Sequence, residues 1–177
     1  MGKSTIKFLL QCFIAIVIFS AHLSSADMVG MSTEELTLSS DTVITGQVED
    51  VKSQWSKDGK TIVTNVSIIP SQVLRGNAVG QKVVLEYEGG EVGDIGLKVS
   101  DMPAFIKGEN VLLFLKEGKS KANGTVHNVV GKAQGAYKVN PNGVASKKGF
   151  SAVGKRNIID NDMPVDVLIE KIKGVKQ

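Results

Sequence analysis

Val111-Leu112-Leu113-Phe114-Leu115 is an apolar run without a polar residue in it, the most hydrophobic stretch after residue 26. A strand with one face in water alternates apolar and polar side chains, whereas an unalternating strand has both faces covered. The run is entered through Lys107-Gly108-Glu109-Asn110, which reads as a turn. The expectation is a central strand with apolar packing on each side.

The only cysteine is Cys12, and it falls in a leader. Lys3 and Lys7 give that leader a positive start. An apolar run from Phe8 to Phe19, broken by Gln11 and Cys12, follows, and Ser24-Ser25-Ala26 offers small residues for cleavage before Asp27. The run is short of the roughly 20 apolar residues of a membrane span. Cys12 has Gln11 before it and further apolar residues after it, which is not the setting of a lipid-modified cysteine. The expected organisation is a signal peptide over 1–26 and one domain over 27–177, exported to the periplasm or the cell exterior, with no stable membrane span once the leader is removed. That domain contains no disulfide and no thiol, and its length allows apolar burial to hold it. The chain has 21 Lys+Arg against 18 Asp+Glu. Two of the lysines belong to the leader, so the remainder is near neutral and binding to nucleic acid through phosphate neutralisation is not expected.

Local signals order the rest. Ser32 and Glu35 have capping-box spacing, and Met31 and Leu36 have staple spacing, so a short helix starts there. Val43 to Val51 is rich in β-branched residues, with Gly46 at a bend or bulge, and the segment ends at Trp55. Asp58-Gly59 marks a hairpin turn. A return strand runs from Thr61 to about Ile69, and Pro70 either ends regular pairing or marks an edge. Arg75-Gly76-Asn77 reads as a turn, Lys82 to Tyr87 as a strand with Val83, Leu85 and Tyr87 on one face, and Ile95 to Val99 as a short strand. Thr125 to Val130 and Ala136 to Val139 are further strands, and Asn140-Pro141-Asn142-Gly143 is a turn. Residues 143 to 160 read as a ragged hairpin or loop. At the end, Val165, Leu168, Ile169 and Ile172 make one apolar helical stripe after Pro164, with Lys171 and Lys173 near the helix C-terminus. The fold class expected is mainly β: a small OB-like barrel of about five or six strands, with a short N-terminal helix and a C-terminal amphipathic helix over about 162–174.

Several segments carry a resemblance. Asp41-Thr42-Val43-Ile44-Thr45-Gly46-Gln47-Val48, Val73-Leu74-Arg75-Gly76, Gly89-Gly90-Glu91-Val92-Gly93, Pro103-Ala104-Phe105, Gly108 through Leu115, and Gly131 through Tyr137 resemble a group of small secreted bacterial domains of unknown function. The resemblance covers roughly residues 32 to 140. Such domains occur alone or beside metalloprotease domains in exported chains. The strand-and-turn pattern is also similar, more loosely, to the OB-type barrel of tissue inhibitors of metalloproteases and netrin-like modules. Those inhibitors grip a catalytic metal through an N-terminal cysteine, which residues 27–177 lack.

Candidate chemistry is sparse. After the leader there is one histidine, His127, no cysteine, and no Gly-x-Ser-x-Gly elbow, so a nucleophile–base–orienter set is not assembled from the usual residues. One histidine without cysteine does not supply a usual zinc set, and His-Glu-x-x-His is absent. Glu86, Glu88, Glu91 and Asp94 crowd a Gly-rich loop but lack the spacing of a calcium loop, and a solvated strand face is the expected role; the alternative is a carboxylate pair for glycoside cleavage. The Gly89-Gly90-Glu91-Val92-Gly93 loop lacks the Lys-Ser/Thr of a phosphate cradle, and its glycines fit a sharp turn or close backbone approach. Asn65 and Asn123 begin glycosylation sequons, which the bacterial resemblance argues against using. The candidate binding surface is Trp55, Gly89, Gly90, Glu91 and Asp94; no catalytic residue, cofactor or metal is expected. The function expected is an exported non-catalytic binding module for an exported or envelope protein. The alternatives are a modulator or inhibitor of an exported metalloprotease and, behind it, a carboxylate-dependent hydrolase.

Overall fold

The computed structural model describes residues 28–76, 82–122, 125–147, 149, 152–153 and 159–176. The leader with Cys12, Asn77, the sequon start Asn123-Gly124 and most of 148–158 lie outside them.

Two long strands, β2 (Thr42–Trp55) and β3 (Ile62–Arg75), form an antiparallel hairpin. Asp58-Gly59 closes it as expected. Asp58 Oδ1 accepts bonds from Ser56 Oγ (2.6 Å) and Lys60 N–H (3.2 Å), and Gly59 has φ 69°. β4 (Val83–Glu88) pairs with β3, and β7 (Asn110–Lys119) pairs with the other side of β2. β8 (Thr125–Val129) pairs antiparallel with β7 and meets β4 in parallel at Leu85 and His127. The ring β2-β3-β4-β8-β7 therefore closes on itself.

β7 is where the sheet branches. Its second half pairs with β8, while Asn110 to Leu113 pairs with β9 (Ala136–Val139). β10 (Val144–Lys147) and β12 (Met163–Pro164) extend the sheet beyond β9. Two small sheets complete the β structure: β1 (Met28–Val29) with β11 (Ala152–Val153), and β5 (Gly90–Val92) with β6 (Ile95–Leu97). The chain is mainly β, but the expected strand number is too low: twelve strands are described, five of them in the ring. The excess comes from the branch at β7 and from two- and three-residue strands, of which the sequence marks only the one at Ile95, read as Ile95 to Val99 and ending at Leu97.

The branch explains the unalternating run. Val111, Leu113 and Leu115 point into the barrel with Ile44, Val48, Val66, Ile68, Val83 and Leu85. Leu112 and Phe114 point outward and pack with Val43, Tyr137, Leu36, Leu168 and Ile172. The outer layer is supplied by α1 (Thr33–Leu38) and α2 (Val165–Gly174). In α2 the expected stripe is the buried one: Leu168 and Ile172 are fully covered, and Val165 and Ile169 pack beside them. The C-cap is Val175, with Gly174 still inside the helix.

α1 begins on a complete capping box. Glu35 N–H donates to Ser32 Oγ (3.1 Å), and Ser32 N–H donates to Glu35 Oε2 (2.8 Å). So short a helix has little intrinsic stability, and Ser32→Ala is expected to cost about 1 kcal/mol in urea unfolding.

β3 does not stop at Ile69. Pro70 pairs with Gly46, and β3 continues to Arg75. β4 stops pairing at Ile68, so Pro70 stands on an edge where a missing N–H breaks no ladder. Gly46 is required at the same place, because a Cβ there would run into the Ile69 carbonyl oxygen.

Candidate functional site

The connection from β4 to β7, residues 89–109, folds back over the barrel. Gly89 N–H donates to Ile62 O (2.9 Å), Thr64 Oγ1 donates to Gly89 O (2.6 Å), and Ser53 Oγ lies 2.9 Å from Thr64 Oγ1. Gly90 has φ 125°, and a Cβ on it would collide with the Ser53 and Thr64 hydroxyls. Both glycines are thus there for close approach. Further along, Phe105 enters the interior core, its ring 6.1 Å from that of Tyr87.

Between this returning segment and the branch of the sheet lies a cleft of about 200 Å³. Phe105, Val111 and Ala136, all buried, form its apolar lining, and Ile106 stands at its lip, 63% exposed. The polar rim is an ion pair between Lys138 Nζ and Glu109 Oε1. The other Glu109 oxygen accepts the Ile106 N–H (3.1 Å). Backbone bonds from Gly108 N–H to Val48 O (2.8 Å) and from Val48 N–H to Glu109 O (2.9 Å) fix the rim to β2. Alternation along β9 puts Ala136 and Lys138 on the cleft side and Tyr137 on the helix side. The cleft is a concave apolar surface whose flanking carboxylate is already engaged, so it offers room for an apolar group.

The surface read from the sequence is placed elsewhere and only partly assembled. Trp55 ends β2, pairs with Ile62 and is 42% exposed. Because Ile62 also accepts the Gly89 N–H, Trp55, Ile62 and Gly89 form one row running from β2 across β3 to the residue that follows β4. Glu91 and Asp94 instead stand exposed on the β5–β6 hairpin. The remaining acids of that group are occupied: Glu86 is buried and accepts from Ser120 Oγ (2.6 Å) and Lys121 N–H (2.7 Å), and Glu88 pairs with Lys121. Glu88 holds the Lys121 ammonium above the ordinary lysine range. Among the described residues no three His, Cys, Asp or Glu side chains converge as a metal set. His127 is half-buried on β8, across from Glu117.

A second polar cluster joins the helices to the sheet. Asp160 Oδ2 accepts from Thr33 Oγ1 (2.6 Å) on α1, its Oδ1 from Lys171 Nζ (2.5 Å) on α2, and its carbonyl from the Tyr137 hydroxyl (2.9 Å) on β9. Burial acts to raise the Asp160 carboxyl, but the bonds from Lys171 and Thr33 outweigh it and hold the carboxyl below its ordinary value. Beside this cluster lies Lys147, 6% exposed, its ammonium 4.7 Å from the centre of the Tyr137 ring and without a hydrogen-bond partner among the described residues. Burial brings its pKa down to about 8, against a smaller opposing pull from Asp160.

Reading along the chain missed the cleft. Its walls come from four separate parts of the chain, 103–106, Glu109 with Val111, 136–138, and Ser146 with Gly149, so no single stretch of sequence signals it.

Fold and cleft define a closed-barrel β domain with a side cleft and a two-helix outer layer. No protein-family model matches the chain, and no curated protein matches it. Among the described residues no helix is long and apolar enough to cross a membrane.

Proposed function

We propose that this chain is an exported, non-catalytic binding module that holds an apolar side chain of a partner protein in the cleft between Phe105 and β9. The observation behind this reading is the cleft itself. Its volume of about 200 Å³ is below the roughly 300–1,000 Å³ of sites that enclose whole small ligands. It suits one protruding anchor, the kind of buried aliphatic or aromatic contact that dominates protein interfaces. The polar rim, Glu109 with Lys138, then serves orientation.

Ser146 lines the cleft from β10 and is only half-buried, so Ser146→Phe fills the space without enlarging the core. With the protein as bait in periplasmic extract or culture fluid, the expected result is a partner retained by the native chain and lost by Ser146→Phe, with unchanged melting. A partner retained equally by both removes the cleft from the reading, and recovery of none removes the binding module. If the partner is an exported metalloprotease, its activity with and without this chain separates plain binding from modulation.

A further inference from the structure

The β5–β6 hairpin projects an open strand edge. Among the described residues β6 pairs with β5 alone, so its outer side has no partner strand. Edge strands are commonly blunted by shortness, lysine, proline, a bulge or an inward-pointing charge. Ile95-Gly96-Leu97 is short, three residues, but has none of the other devices within the strand. Register puts Val92, Ile95 and Leu97 on one face of the hairpin, where Ile95 is 55% and Leu97 37% exposed. Glu91 lies on the opposite face, its side chain over Gly96. Charge is polarised along the hairpin: Glu91 and Asp94 are toward its tip, Lys98 follows β6 at its base, and all three are exposed.

We propose that the β6 edge docks an extended segment of another protein, added antiparallel as a third strand of the hairpin. An open edge recognises a backbone, because alternate residues turn N–H and C=O away from their single partner. Antiparallel addition continues the pairing already present and is the more stable arrangement. β6 runs from tip to base, so the incoming segment runs from base to tip. Its first residues lie beside Lys98 and its last beside Asp94. The chemistry that fits is an acidic residue, then alternating apolar residues over Ile95 and Leu97, then a basic residue. This surface is distinct from the cleft, and either can fail without the other.

The probe is a labelled, end-blocked peptide Gly-Asp-Val-Thr-Val-Lys-Gly, titrated by fluorescence anisotropy against the purified protein. Two controls carry the same composition with Asp and Lys exchanged, or the same charges with the central Thr replaced by Pro. The first peptide is expected to bind at least about tenfold more tightly than either control, a difference of 1.4 kcal/mol. Gly96→Pro, which removes a donor from the edge, is expected to abolish the difference. If that variant does not fold, Leu97→Lys tests the same surface without altering the backbone. Ser146→Phe is expected to leave peptide binding unchanged. Equal affinity for the three peptides, or no binding at about millimolar peptide, overturns the proposal. So does a concentration-dependent dimer that Gly96→Pro dissolves, since the occupant would then be a second copy of this chain.

Discussion

Phe114→Ala is expected to lower the free energy of unfolding by about 3–5 kcal/mol, the range for truncating a buried aromatic side chain. Phe114 is 0% exposed and lies on the outer face of β7, with its ring centre 6.1 Å from that of Tyr137. Around it are Val43, Leu36 from α1, and Leu168 and Ile172 from α2. Strands and helices meet at one ring, and neither can move inward alone: β2 and β7 are held by the barrel ring, and the helices by the Asp160 bonds. The space left by the ring therefore stays open, which places the cost toward the upper end. Against a total of about 5–15 kcal/mol for a domain, that loss is large. Urea unfolding followed by circular dichroism checks it: the midpoint falls while the slope stays constant. A loss under about 1 kcal/mol would mean that the helices do not pack on this face.

Lys147 gives the second large effect, since burying its charge costs stability at neutral pH. The folded pKa is about 8 against 10.5 for an ordinary lysine. Below pH 8 the ammonium is charged in both states, and the folded chain carries the full cost of burying it. Above pH 8 the folded chain has released the proton that the unfolded chain still binds, so stability rises with pH. The difference amounts to about 3 kcal/mol if integrated to the ordinary lysine value. Tyr137 and Tyr87 set the upper limit. Burial raises both hydroxyls above the ordinary value of 10, so the unfolded chain loses those protons first and stability falls above about pH 10. The window is thus pH 8 to 10, with a gain of about 2–3 kcal/mol across it. In Lys147→Met that rise disappears, and the variant is more stable than the native chain at pH 7. Denaturant unfolding at pH 7, 8, 9 and 10 measures both. A native chain with a flat profile would show that Lys147 is solvated.

Much of the fold was legible because its signals are local. Ser32 and Glu35 announce α1, Asp58-Gly59 announces the β2–β3 turn, and Val165, Leu168, Ile169 and Ile172 announce the buried stripe of α2. Val111 to Leu115 went further, since the missing alternation called for two covered faces and two are present. What escaped depends on distant partners. β5 reads as a loop because Gly89-Gly90 lacks strand propensity; it is a strand only where the glycines let the chain pass close to Ser53 and Thr64. The continuation of β3 past Pro70 needs β4 to stop short on the other side. Lys147, in a segment that reads only as a ragged hairpin or loop, is buried because Tyr137 and Asp160 come from other parts of the chain. The candidate surface was half legible: Trp55 and Gly89 do share a row, but nothing in the order of residues brings Phe105 to Ala136.

The branching of β7 has a consequence for how the domain comes apart. One strand serves as the common wall of the barrel interior and the helix-covered layer, and its neighbour β2 likewise lends Ile44 to one and Val43 to the other. Loosening either layer strips one side of the same backbone, so neither persists without the other. Two hydrophobic clusters therefore make a single cooperative unit. The amides of Val111 to Leu115 are expected to exchange with deuterium only through global opening, at one common free energy equal to that of unfolding.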